Sequence, residues 1–148
     1  RLEMRGEAGG VTVVDDFAHH PTQARTSLET AVVRFPGRRI WCVYDLHTFS
    51  SRNRAYLPDY AVAFGQAHGV DLPAIHHPEQ IPEEQRISVP ELTEAVRQTQ
   101  PNVAYIEERA EIVPYLAERL QPGDVALFMS SGGLEDLIEG LIETLLGR

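Results

Sequence analysis

The chain has 148 residues, 43% of them hydrophobic and 7% aromatic, the proportions of an ordinary globular domain with enough apolar material for one core. Its formal net charge of −9 argues against a nucleic-acid partner, and no stretch approaches the ~20 apolar residues a membrane helix needs. The single cysteine, Cys42, lies in an apolar run, cannot form an internal disulfide and fits a reducing, cytoplasmic setting.

Residues 1–5 alternate like a short strand, residues 6–10 supply a glycine-containing turn, and the β-branched residues 11–14 read as a buried strand. A hairpin with an antiparallel edge strand is expected. No secretory signal opens the chain, and the absence of a starting methionine suggests a piece of a longer protein. The buried strand runs into Asp15, Asp16, Phe17, His19 and His20, then Pro21, whose fixed φ suits the first turn of a helix. That helix is predicted to extend to about Phe35, with Ala24, Leu28, Ala31 and Val32 on its inner face, and Pro36-Gly37 stops it. Residues 40–44 form the next apolar strand, again ending in polar residues: Asp45, His47, Thr48, Ser50, Ser51 and Arg52.

A second helix is predicted over residues 57–66 and a weaker strand over 70–75. Residues 76–86 are polar and proline-rich and read as a surface loop, with His76 and His77 solvated and without a local carboxylate. Ser88 and Glu91 have capping-box spacing for a helix to about Gln98. A short strand over 103–106, a helix over about 111–120 and a turn over 121–124 lead to the last buried strand, 125–129. It meets Ser130, Ser131, Gly132 and Gly133 before an amphipathic helix whose apolar face carries Leu134, Leu137, Ile138, Leu141 and Leu145.

Strand and helix alternate five times after the hairpin. The pattern predicts one doubly wound, Rossmann-like α/β domain over residues 1–148, a three-layer sandwich with a mostly parallel sheet and an antiparallel edge strand. Parallel strands bring their carboxyl ends to one edge, so the polar groups after three strands can share a site. Each has two readings. Ser130 and Ser131 with the glycines either seat an anion or cap the helix; Asp15 and Asp16 hold a ribose or a metal, or make a turn; His19 and His20 orient a substrate, or His20 caps its helix. A metal hydrolase built on this aspartate and histidine run is disfavoured, because adjacent residues rarely point at one ion, and no metal ligands are assigned. The chain has no phosphate-binding loop, no glycine-rich dinucleotide fingerprint and no nucleophile elbow.

The stretch from Gly10 to Thr22, with Asp15-Asp16-Phe17-Ala18-His19-His20-Pro21 inside it and Arg1-Leu-Glu-Met-Arg-Gly-Glu7 before it, resembles the opening of the C-terminal domain of the Mur ligases acting on UDP-N-acetylmuramate. Phe35-Pro-Gly-Arg-Arg39, Leu46-His-Thr-Phe-Ser50 and Leu120-Gln-Pro-Gly-Asp124 resemble later blocks of that domain, so the resemblance covers the whole chain. Phe17-Ala18 and Met129-Ser-Ser-Gly-Gly133 look like the branch that attaches a murein tripeptide; the L-alanine-adding branch is the alternative, and Ser51 stands where that branch carries an arginine. The resemblance implies a three-domain enzyme in which ATP phosphorylates a carboxylate and an incoming amine attacks the acyl phosphate. It further implies that ATP, Mg2+ and the UDP-sugar are bound mainly by two domains absent from this chain. In its terms Asp16 matches the position contacting the ATP ribose, Phe17, His19 and His47 face the amino-acid or peptide substrate, and Ser130 and Ser131 hold a substrate carboxylate. No catalytic residue is assigned to this domain, which is expected to be inactive alone. A free-standing module binding a small anion is the reading from a different class.

Overall fold

The computed structural model describes residues 2–148. Strands β1 (Leu2–Ala8) and β2 (Val11–Asp16) form the expected hairpin, although β1 is longer than predicted. Arg1, where the predicted strand begins, lies outside the described residues. Only Gly9 and Gly10 make the turn, with φ of 59° and 79°, the positive values a tight two-residue hairpin requires. Gly6 belongs to the strand, at a register slip, where an added Cβ would stand 3.3 Å from Ile142.

The remaining elements are α1 (Pro21–Arg34), β3 (Ile40–Tyr44), α2 (Leu57–Tyr60), β4 (Gly69–Pro73), α3 (Val89–Arg97), β5 (Val103–Ile106), α4 (Ile112–Arg119), β6 (Val125–Met129) and α5 (Glu135–Leu146). The six strands are ordered β1-β2-β6-β3-β4-β5, with β2 to β5 and β6 parallel and β1 antiparallel to β2. One core layer joins α1, α2 and α3 to one face of the sheet through Leu28, Tyr60, Leu92 and their neighbours. The other joins α4 and α5 to the opposite face through Leu116, Ile138 and Leu141. Successive crossovers therefore lie on one face as the chain moves outward to β5, and the return to β6 lies on the other, as a constant crossover hand demands. Because α1 leaves β2 on one face and α5 leaves β6 on the other, a crevice opens between their carboxyl ends.

Three predicted features differ. The helix expected over 57–66 stops at Tyr60 and continues as tight turns. Its carbonyls are taken by side chains from after α3: Thr99 Oγ1 donates to Ala61 O at 2.6 Å, and Gln100 Nε2 donates to the carbonyls of Phe64 and Ala67 at 3.0 and 2.6 Å. Residues 76–86 are mostly exposed, as expected of a surface loop, but the loop is anchored to the core in a way the sequence did not show. Buried Arg52 donates to the carbonyls of Thr48, His76 and His77 and to Gln80 Oε1, and Ile81 is buried. His77 also has a local carboxylate after all, Glu79, with Nδ1 to Oε2 at 2.8 Å. Finally, α5 starts at Glu135 without a side-chain cap, so Ser130 and Ser131 do not cap it.

Other local signals read from sequence are realised. His20 Nδ1 accepts from Thr22 N and Gln23 Oε1 accepts from His20 N, a capping box; Ser88 and Glu91 form another. Cys42 is fully buried, and burial pushes its thiol up. At the sheet edge opposite the crevice, Arg39 makes a two-pronged pair with buried Asp124, at 2.9 and 2.8 Å.

Candidate functional site at the carboxyl edge of the sheet

Alternation along β2 divides its two terminal carboxylates. Asp15 faces α5, 3.3 Å from Arg5, which also pairs with Glu135. Burial pushes the Asp15 carboxyl up, and Arg5 opposes that shift. Asp16 faces α1, is buried, and accepts a hydrogen bond from Ser27 Oγ. On the Asp15 side, Leu2, Glu3, Asp15, Phe17, Ser130 and Gly132 line a cleft of about 540 Å³. Phe17 is 67% exposed at its rim, an unusual exposure for so apolar a ring. The His19 ring meets Phe17 edge-on at 5.3 Å, and the His19 carbonyl accepts from Tyr44 Oη at 3.0 Å. Buried Ser130 accepts from Gly132 N at 3.0 Å, shaping the loop after β6, while Ser131 is half-buried. On the Asp16 side, a depression of about 290 Å³ is lined by Asp16, Phe17, Thr22, Gln23 and Thr26, with Ser27 behind; its hydroxyls and carboxylate suit a sugar.

A second cluster follows β3. Asp45 is 5% exposed, and its backbone N–H extends the ladder to Met129 O at 3.1 Å. Its Oδ2 lies 3.8 Å from His47 Nδ1. His47 stacks on His76, centroids 3.9 Å apart and planes 24° apart. Arg109, after β5, donates to Gly133 O at 2.5 Å and pairs with Asp136 at 2.6 Å, pinning the far side of the loop. Burial pushes the Asp45 carboxyl up, against the pull of His47, Arg109 and His76. Burial and the charges of His47, His77 and Arg52 push His76 down, with Asp45 opposing.

The structure thus brings Phe17 and Ser130 to one cleft, with His19 against the Phe17 ring and Ser131 next to Ser130 in the loop, places His47 on the other side of the same loop, and turns Asp16 to the opposite face of β2. Asp45, His76 and Arg109 were not among the predicted site residues. Asp45 repeats the pattern of Asp15, a carboxylate at a strand end, and so carried a signal. His76 and Arg109 are brought in by tertiary structure alone. Arg52, grouped with His47 in the sequence, is a buried brace for the 76–80 loop. Among the described residues no group of three His, Cys, Asp or Glu side chains is placed to hold a metal ion, and no helix is long and apolar enough to cross a membrane.

A family model described as Mur ligase, glutamate ligase domain, matches residues 1–132. The chain is a Mur ligase C-terminal domain. UDP-N-acetylmuramate–L-alanine ligase from Trichormus variabilis is 36% identical to this Mur domain over 146 residues, which is 98% of the chain and 29% of that relative. Among solved structures, a murein peptide ligase from Psychrobacter arcticus superposes with a TM-score of 0.79 at 20% identity, covering 99% of the chain and 30% of that protein. UDP-N-acetylmuramate–alanine ligase from Thermotoga maritima gives 0.71 at 18% identity, covering 97% and 29%. This Mur domain therefore spans under a third of the length of those proteins. The family comprises ATP-dependent carbon–nitrogen ligases of peptidoglycan assembly.

Proposed function

We propose that this domain receives the incoming amine in an ATP-dependent ligase that joins L-Ala-γ-D-Glu-meso-diaminopimelate to UDP-N-acetylmuramate in peptidoglycan recycling. One observation carries the peptide reading. The 540 Å³ cleft beside β2 and the His47 cluster beyond β3 flank the loop after β6, so the strand ends they follow are two spacings apart, about 10 Å. An extended tripeptide covers about that distance, at roughly 3.3 Å per residue. A single alanine fills one end of it.

In this reading the loop carrying Ser130 and Ser131 holds a substrate carboxylate, Phe17 and His19 wall the peptide, and His47 meets its reactive end. Asp16, in its hydroxyl-lined depression, contacts the ATP ribose. ATP, with Mg2+ and held mainly by upstream domains, supplies the phosphoryl group that activates the lactyl carboxylate of the sugar. The contribution of this chain is to position the amine and exclude water. Arg52 and Ser51 are buried, with Arg52 spent on loop carbonyls, which leaves the 48–52 segment without a free arginine for the carboxylate of a small amino acid. The second reading, L-alanine ligation, is favoured by the 36% identity to an enzyme of that name.

The test is product formation by the parent protein from UDP-N-acetylmuramate and ATP, with tripeptide and L-alanine offered in parallel. Tripeptide joining alone is expected. L-alanine joining alone transfers the domain to the second reading, and joining of neither leaves a module that binds a small anion.

A further inference from the structure

The loop after β6 and the cluster after β3 are built around one buried carboxylate. Asp45 is 5% exposed and makes no side-chain hydrogen bond among the described residues; a carboxylate so placed is costly unless a cation meets it. An added Cβ at Gly133 would stand 2.9 Å from Asp45 Oδ2, so the second glycine of the Ser-Ser-Gly-Gly run leaves the room this carboxylate occupies. His47 Nδ1 faces the same oxygen at 3.8 Å, and stacking on His76 fixes the plane of the ring. With Nδ1 turned to Asp45, Nε2 lies on the opposite side of the ring, and the His47 side chain is 42% exposed. A buried acid behind a partly open imidazole is the arrangement that fixes a tautomer and stabilises the imidazolium once a proton arrives.

We infer that Asp45 and His47 form a dyad in which His47 Nε2 is the general base for the incoming ammonium and Asp45 is its positioning residue. The inference rests on the amine-receiving role proposed above. His47 takes one proton from the substrate ammonium, and the freed lone pair attacks the acyl-phosphate carbonyl. The C–N bond forms, and the C–O bond to phosphorus breaks with its electrons on phosphate. The departing phosphate takes the second N–H proton and leaves as hydrogen phosphate. The imidazolium then supplies the cation that buried Asp45 lacks, while Asp45 Oδ2 and Nδ1 close from 3.8 Å to hydrogen-bond distance. The charged and titratable groups facing the dyad are His76 from after β4, with His77 and Arg52 behind it, and Arg109 from after β5. Arg109 is committed to Asp136 and the Gly133 carbonyl, and His76 is stacked on the face of the His47 ring, so of the two imidazoles His47 is the one whose nitrogen faces Asp45 Oδ2.

Two measurements test this. In the 148-residue chain, nitrogen-15 NMR of neutral His47 should report the Nδ1–H tautomer, and Asp45→Asn should abolish that preference. A dominant Nε2–H tautomer in the unsubstituted chain overturns the dyad, whatever the function. In the parent ligase, Asp45→Asn and His47→Gln should lower kcat for the natural amine about 100-fold at pH 7, with KM for ATP unchanged and most of the loss recovered at high pH. Hydroxylamine, already neutral at pH 7, should trap the acyl phosphate as a hydroxamate with a much smaller loss in both variants than the natural amine suffers, and Asp45→Glu should restore part of the activity. Equal loss with both nucleophiles, or loss with neither, overturns the base role. Absence of hydroxamate from the unsubstituted enzyme removes the underlying ligase reading, and the base role with it, while the tautomer result stands.

Discussion

Replacing Asp71 by asparagine should flatten the pH dependence of stability. Asp71 lies in β4, 1% exposed, with Oδ2 buried and, among the described residues, without a hydrogen-bond partner. Burial pushes its carboxyl from the ordinary 3.8 up to about 7, and Arg119 opposes this only in part. The folded state therefore keeps this proton over roughly three pH units in which the unfolded chain has lost it. Stability is greatest below the unfolded pKa and declines as pH rises towards the folded one; at about 1.4 kcal/mol per unit, the full penalty above pH 7 is about 4 kcal/mol. Asparagine keeps the shape without the charge. Urea unfolding at pH 5, 6, 7 and 8, followed by circular dichroism, should show the variant gaining on the unsubstituted chain by about 2–3 kcal/mol across that range. A gap that stays constant with pH would refute the reasoning, because the asparagine's own unpaired amide shifts both ends of the range equally.

Asp124→Ala should cost about 3 kcal/mol, since it strands the Arg39 guanidinium and the Gln121 N–H beside a buried site. Burial raises the Asp124 carboxyl, but the hydrogen bonds of Arg39 and Gln121 outweigh it and hold the group low. Its stabilisation is thus present above the ordinary carboxylate pKa and lost as pH falls through the lowered one, so the gap between the two chains should close in acid unfolding. His20→Ala should remove the cap of α1, costing about 1 kcal/mol and about 3 °C in Tm by calorimetry. The 148-residue chain alone should release no phosphate from ATP in a colorimetric assay; measurable turnover would contradict the division of labour between domains.

What is legible in the sequence is what neighbours along the chain decide. The β-branched run at 11–14, the caps at His20 and Ser88, and the five alternations of strand and helix are local patterns, and they suffice to place Phe17, His47 and Ser130 on one edge. The misreadings have remote causes. Thr99 and Gln100 end the second helix from 38 and 36 residues away. His76 looked solvated because its stacking partner, His47, lies 29 positions earlier, and Arg52 looked available because the carbonyls it braces come after β4. Asp45 was visible as another acid at a strand end. Its relation to Gly133 was not, since no local pattern shows that a glycine 88 positions later makes room for a carboxylate.

The position of β6 also governs how the chain can fold as it is made. β2 and β3 do not pair with each other; each pairs with β6, whose residues emerge after four of the five helices have been synthesised. Until Val125 leaves the ribosome, the sheet has a slot one strand wide at its centre, bordered by two apolar strands whose inner amides and carbonyls have no partners. Closure of this slot is a long-range event of high loop entropy, late and cooperative. A nascent chain halted before residue 125 is expected to be held by chaperones or to aggregate through that open seam.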